Sequence, residues 1–142
     1  MAADRIFDHG IGQLYARALV AIARADDQIS PEEGLLLQQR IEARTAAPVS
    51  LDDLLLADPL HPRALAQQLV SHDPFRNAGV HPRDLASMLV ADGITVALAK
   101  GYIAETEARE LVRFARALGC HDDEITKMLD RAAPWLGAIA GM

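Results

Sequence analysis

Apolar residues recur at spacings of three and four along most of the chain, which is typical of amphipathic helices. The first such run covers residues 11–25 and carries Leu14, Tyr15, Ala18, Leu19, Ile22 and Ala25. A later run begins at Pro82 and carries Leu85, Met88, Leu89, Asp92 and Val96. The pattern allows either a helix through Gly93 to about residue 99 or a break at Asp92-Gly93. No stretch alternates polar and apolar residues for long enough to predict a strand. The pattern therefore predicts an all-α fold.

Cap signals set the helix boundaries. Ser30 followed by Pro31 and Glu33 is a capping box with proline at the first helical position, and it predicts a second helix over residues 31–44. Ser50 opens a short helix that ends before residue 58. Two near copies, His61-Pro62-Arg63 and His81-Pro82-Arg83, open further helices. In each copy we expect the histidine to serve helix entry rather than metal ligation.

The chain also contains an internal repeat at an offset of 101 − 27 = 74 residues. The segment from Asp26 to Glu33 aligns with the segment from Lys100 to Glu107. In both copies an apolar helix stops, an isoleucine is expected to be buried in the turn, and a glutamate opens the next helix. We therefore predict a single domain, 1–142, with about seven helices: unit one about 11–44, connecting helices about 50–72, unit two about 82–119 and a final helix about 122–134.

Composition narrows the classes of function. The formal net charge is −6, and no cluster of Lys and Arg stands out along the chain, so we expect no nucleic-acid partner. One cysteine, Cys120, cannot form an internal disulfide. No segment has the roughly 20 apolar residues of a membrane span, and the first residues lack the order of a signal peptide. The expected location is cytoplasmic.

We find no pattern that carries catalysis. No serine lies in a G-x-S-x-G motif, no glycine-rich phosphate loop is present, and no nucleophile stands beside a base at a recognisable spacing. The sequence predicts a protein that is not an enzyme and has no certain cofactor.

The acidic turn between the first two helices has two interpretations. Its spacing matches the back half of an EF-hand loop, but Ile22 and Arg24 occupy the first ligand positions, so an ordinary EF-hand is excluded. In one interpretation Ser30 and Glu33 simply cap the second helix. In the other, Asp26, Asp27 and Glu33 bind a divalent cation; two acidic groups at the negative end of a helix favour some compensating charge.

The segments ADDQISPEE (25–33) and KGYIAETEARELVRFARALG (100–119) resemble the TerB-like family of tellurite-resistance-associated proteins. They are also similar to the N-terminal domain of DjlA-type cochaperones. The resemblance implies about seven helices, no established catalytic activity, and metal binding or scaffolding in stress responses near the membrane. Two residues depart from the family motif Asp-Gly-x-Ile-x-x-x-Glu: Asp27 stands in place of Gly, and Lys100 in place of Asp.

The leading hypothesis from the sequence is a TerB-like accessory or interaction domain acting in a tellurite or metal stress response. It would bind a protein partner through an acidic face, and it would reach the membrane only through such partners. The residues of that face are Asp26, Asp27, Glu32, Glu33 and Glu107. The alternative is a divalent-cation-binding module centred on the turn from Asp26 to Glu33.

Overall fold

The computed structural model describes residues 7, 9–25, 29–45, 49–71 and 82–132. These residues form seven α-helices in a single bundle, and a 3-10 turn, Leu98–Lys100, follows the fifth. The helices are α1 (His9–Ala23), α2 (Pro31–Arg44), α3 (Leu51–Leu56), α4 (Pro62–Ser71), α5 (Pro82–Ala97), α6 (Glu105–Ala117) and α7 (Asp122–Ala132). Within the described ranges, strand-type pairing is limited to one isolated bridge between Phe7 and Thr45. The predicted all-α fold is confirmed.

The predicted helix starts are found where the cap chemistry places them. The Ser30 hydroxyl accepts from the Glu33 N–H at 3.1 Å, and the Glu33 carboxylate accepts from the Ser30 N–H at 3.0 Å, so the capping box is complete. Nδ1 of His61 accepts from the Arg63 N–H at 3.2 Å, which confirms the helix-entry role. His81 lies outside the described residues.

The helix ends in the structure differ from the predicted ends by a residue or two. α1 ends at Ala23 rather than at Ala25, because the Ala25 N–H bonds to the carbonyl of Ile22 and so tightens the last turn. α5 continues through Gly93 without a break. The final helix is described to Ala132, and Pro134, where we expected it to stop, lies outside the described residues together with 72–80.

The helix boundaries repeat at the offset of 74 found in the sequence. Adding 74 to the bounds of α1 gives 83–97, and adding it to those of α2 gives 105–118, which are the positions of α5 and α6 to within a residue. The second unit turns at Gly101, whose φ of +94° lies in the left-handed region that favours glycine. The first unit has Asp27 at the matching position, which is outside the described residues.

The centre of the bundle is α5, which packs against α1, α2, α6 and α7. Most of its residues are buried, including Leu85, Leu89 and Ile94, as is usual for a helix enclosed by neighbours on several sides. α4 packs against α1 and α6, and the 3-10 turn packs against α2 and α5. None of the described helices is long and apolar enough to cross a membrane.

Gly93 lets α6 approach the middle of α5. A Cβ atom at this position would lie 2.6 Å from Cδ2 of Leu111 and 3.5 Å from a methyl group of Ile22. Leu111 is fully buried and cannot swing into solvent. The helix accepts the entropic cost of an interior glycine because the close contact leaves no room for a side chain.

We expect Gly93→Ala to lower the free energy of unfolding by about 1 kcal/mol or more, because overpacking outweighs the gain in helix propensity. Gly34→Ala in α2 is the matched control, since its nearest neighbour would be a methyl group of Ile29 at 3.9 Å. That variant should be more stable by about 0.5–1 kcal/mol. Urea denaturation measures both; equal stabilisation of the two variants would contradict the proposed contact.

Candidate functional site

The acidic turn predicted from the sequence is only partly described. Asp26 and Asp27 lie outside the described residues. Glu33 is 1% exposed, and its carboxylate caps α2 as given above. Ile29, one turn earlier, packs against the core. The structure therefore gives Glu33 a capping function, and the cation hypothesis for Asp26, Asp27 and Glu33 stays a prediction.

The second unit repeats half of this arrangement. The Glu107 carboxylate accepts from the Ala104 N–H at 3.0 Å, but alanine has no side-chain oxygen to return the bond. Glu107 is fully buried, and Ile103 is buried in the turn before it. Of the described acidic residues in the predicted partner face, Glu32 has an exposed side chain, whereas Glu33 and Glu107 are buried. Among the described residues, no three His, Cys, Asp or Glu side chains are grouped to hold a metal ion.

The start of α7 has the same type of glutamate cap, and Cys120 lies just before it. The His121 N–H donates to the Glu124 carboxylate at 2.9 Å, at the beginning of α7. Cys120, just before it, is buried, and desolvation together with the Glu124 charge raises the pKa of its thiol. A raised thiol pKa disfavours the thiolate, the form that acts as a nucleophile or metal ligand.

The main polar cluster of the core joins three helices. Asp92 of α5 accepts two bonds from Arg44 of α2, from Nε to Oδ2 and from Nη2 to Oδ1, both at 2.9 Å. The hydroxyl of Tyr15, from α1, donates to Oδ2 of the same carboxylate. Arg44 and Asp92 are each 2% exposed, and Tyr15 is fully buried. We call Tyr15, Arg44 and Asp92 the buried charge cluster.

Two neighbouring residues, Phe7 and Arg40, also contact the buried charge cluster. The Phe7 N–H donates to the Arg44 carbonyl at 2.7 Å, and the Phe7 ring lies 5.2 Å from the Tyr15 ring, centroid to centroid. Arg40, half exposed one turn before Arg44, brings Nη1 to 3.6 Å from Oδ1 of Asp92. Among the described residues, Nη1 of Arg44 has no hydrogen-bond partner. The carboxylate thus sits between one buried and one partly exposed guanidinium.

Electrostatics inside the cluster favour a neutral phenol and a charged guanidinium. Burial and, after it, the negative charge of Asp92 raise the pKa of Tyr15 well above its ordinary value. The hydrogen bond to Asp92 raises the pKa of Arg44, against an opposing effect of desolvation. The phenol therefore acts as a donor to Asp92 and is poorly suited to accept a proton from a substrate as phenolate.

The cluster breaks the symmetry of the repeat. At the offset of 74, Asp92 corresponds to Ala18, Tyr15 to Leu89 and Arg44 to Leu118. These three counterparts are buried apolar residues. The repeat therefore has one site where buried charges meet and a related site filled by hydrocarbon.

A second feature is a set of three exposed apolar side chains on or next to two elements that pack against each other, α2 and the 3-10 turn. Asp92 meets the last turns of α2, and the 3-10 turn six residues further on, about 9 Å along α5, still packs against α2. Leu35 of α2, Leu98 of the 3-10 turn and Tyr102, two residues after that turn, are 63%, 40% and 59% exposed. We call these three residues the apolar patch.

No family model, curated protein or solved structure matches the chain. The resemblance to TerB-like proteins accordingly stays a hypothesis from the sequence.

Sequence reasoning did not identify the buried charge cluster, although one signal was present. Asp92 occupies a position of the apolar period of its helix, between Leu89 and Val96, where a charged residue needs a buried partner. Nothing local marks Arg44, which lies 48 residues away and ends its helix like an ordinary basic residue.

Removing the carboxylate should strongly destabilise the fold. We expect Asp92→Ala to lower the free energy of unfolding by about 3–5 kcal/mol, because it leaves the Arg44 charge buried without its counterion. The double variant Arg44→Leu/Asp92→Ala copies Leu118 and Ala18 of the related site and should regain most of that loss.

Denaturant unfolding of both variants is compared with Asp130→Ala, which removes an exposed carboxylate of α7 and should change stability by no more than about 0.5 kcal/mol. If Asp92→Ala were as stable as Asp130→Ala, the cluster would not hold the three helices together.

The raised pKa of Tyr15 predicts a loss of stability at alkaline pH. In the unfolded chain tyrosine releases its proton near pH 10, about its ordinary pKa, whereas the folded chain retains it to higher pH. The unfolded state therefore binds fewer protons above that pH, and stability falls as pH rises through this window. Subtracting the stability curve of Tyr15→Phe isolates the contribution; identical slopes for the two proteins above pH 10 would refute it.

Proposed function

We propose that this chain is a non-enzymatic, TerB-like interaction domain that binds a protein partner through the apolar patch and the exposed glutamate beside it. The observation that carries the proposal is the exposure of Leu35 on α2 and of Leu98 and Tyr102 in and just after the 3-10 turn, which packs against α2. Exposed leucines and aromatic residues grouped on one surface mark interaction sites more often than isolated ones do.

The chemistry of this surface suggests the kind of partner. Glu32 lies three residues before Leu35, so the two side chains share a face of α2. The chain as a whole carries a net charge of −6. A partner segment with apolar side chains flanked by Lys or Arg would complement both features, since charge complementarity speeds association and selects partners.

The contacts made by the buried acidic side chains support the proposal that this chain is not an enzyme. Glu33 and Glu107 cap helices, and Asp92 is held by Arg44 and Tyr15. These contacts occupy the acids that would otherwise be candidates for proton transfer in a cleft. A role in a tellurite or metal stress response is what the TerB-like resemblance implies, and it enters the proposal on that basis.

Site-specific photo-crosslinking in the cells that make the protein tests the proposal. A benzophenone amino acid replaces Leu35 or Tyr102 in the patch, and Leu56 of α3 as the control, which is 87% exposed but outside the patch. We expect a discrete protein adduct from the patch positions, greatly reduced by Glu32→Lys, and none of comparable yield from Leu56.

Three outcomes would contradict the proposal. These are no adduct at either patch position, equal adducts at Leu56, or an adduct whose mass is that of two copies of this chain. The last would make the patch a self-association surface. Circular dichroism of each variant establishes that the fold is retained, so a lost adduct reports on the surface rather than on unfolding.

A further inference from the structure

Folding forms a basic cleft from residues that are not clustered in the sequence. His61 and Arg63 at the start of α4 face Arg113 and Arg116 near the end of α6, around a cleft of about 450 Å³. Its remaining walls are Pro62, Ala66 and Ala117. The two pairs of side chains are some 50 residues apart in the chain, and they meet because α4 packs against α6.

We propose that this cleft binds a small phosphate-bearing molecule. Guanidinium groups offer forked donors that match phosphate oxygens, and three of them from two helices surround one volume. A tetrahedral phosphate group carries more negative charge than a carboxylate, and its oxygens accept from donors arriving from several sides. The volume falls within the range of about 300–1,000 Å³ that is usual for small-molecule sites.

The arginines differ in how far they are already engaged. Nε of Arg116 donates to Asp122 at 2.9 Å, and Nη1 of Arg113 lies 3.5 Å from a Glu110 oxygen. For Arg63, by contrast, the described residues supply no acceptor to the guanidinium, and only its backbone N–H is bonded, to His61. Arg63 is thus the charge most available to an anion, and the two carboxylates hold the other arginines in place.

The start of α4 adds to the attraction. This ten-residue helix directs the positive end of its dipole toward the cleft residues at its beginning. His61 caps it through Nδ1, and because that nitrogen accepts a hydrogen bond, Nε2 carries the proton and is the donor nitrogen of the neutral ring. The guanidinium groups, the imidazole N–H and the start of the helix therefore all give the cleft a positive electrostatic potential.

Nuclear magnetic resonance titration of the full chain tests the proposal with inorganic phosphate and pyrophosphate, against sodium chloride of matched ionic strength. We expect saturable shifts of the amides of Arg63, Arg113 and Arg116, with pyrophosphate binding more tightly than phosphate. Arg63→Gln should weaken pyrophosphate binding by about tenfold, the usual effect of losing a charge-assisted hydrogen bond.

The control is Arg83→Gln, which removes an arginine of similar exposure that does not line the cleft. It should leave the affinity within about twofold, because Arg83 is paired with Glu124 and does not line the cleft. Shifts no larger than those with sodium chloride, or equal weakening by Arg63→Gln and Arg83→Gln, would overturn the proposal. Neither result bears on the apolar patch, since Leu35, Leu98 and Tyr102 do not line this cleft.

Discussion

The buried carboxylate of Asp92 fixes how three helices of the bundle are arranged. A charge in the core is tolerated only when its partners are also in the core, at hydrogen-bonding distance. Arg44 and Tyr15 meet that requirement from two other helices, so the relative positions of α1, α2 and α5 are fixed at one point. Apolar packing alone permits sliding and repacking, whereas a bidentate ion pair specifies a single register.

The same cluster makes the two repeated units differ from each other. The two helix pairs share boundaries, isoleucine turns and glutamate caps, yet Ala18 and Leu118 occupy the positions that correspond to Asp92 and Arg44. Both sets of side chains, charged and apolar, fill the core, but they contribute differently to the structure. The charged site fixes geometry between the units, while the apolar site contributes hydrophobic burial.

The scaffold in turn positions two surfaces with different chemistry. The 3-10 turn that carries Leu98 packs against α2, the helix that carries Leu35. On the α4 and α6 side, packing brings Arg63 to Arg113 and Arg116. An acidic chain thus carries one apolar patch next to an exposed glutamate and one basic cleft, and the two involve separate residues.

Local structure was predictable from the sequence: the helices, the Ser30 and Glu33 capping box, the proline starts and the repeat. Such features depend on residues within a turn or two of each other, so periodicity and cap chemistry predict them. The burial of Glu33 and Glu107, the contact of Asp92 with Arg44, and the cleft shared by the arginines of α4 and α6 follow only from the packing of the helices. Those outcomes join residues tens of positions apart, and helix packing rather than chain spacing sets the distances between them.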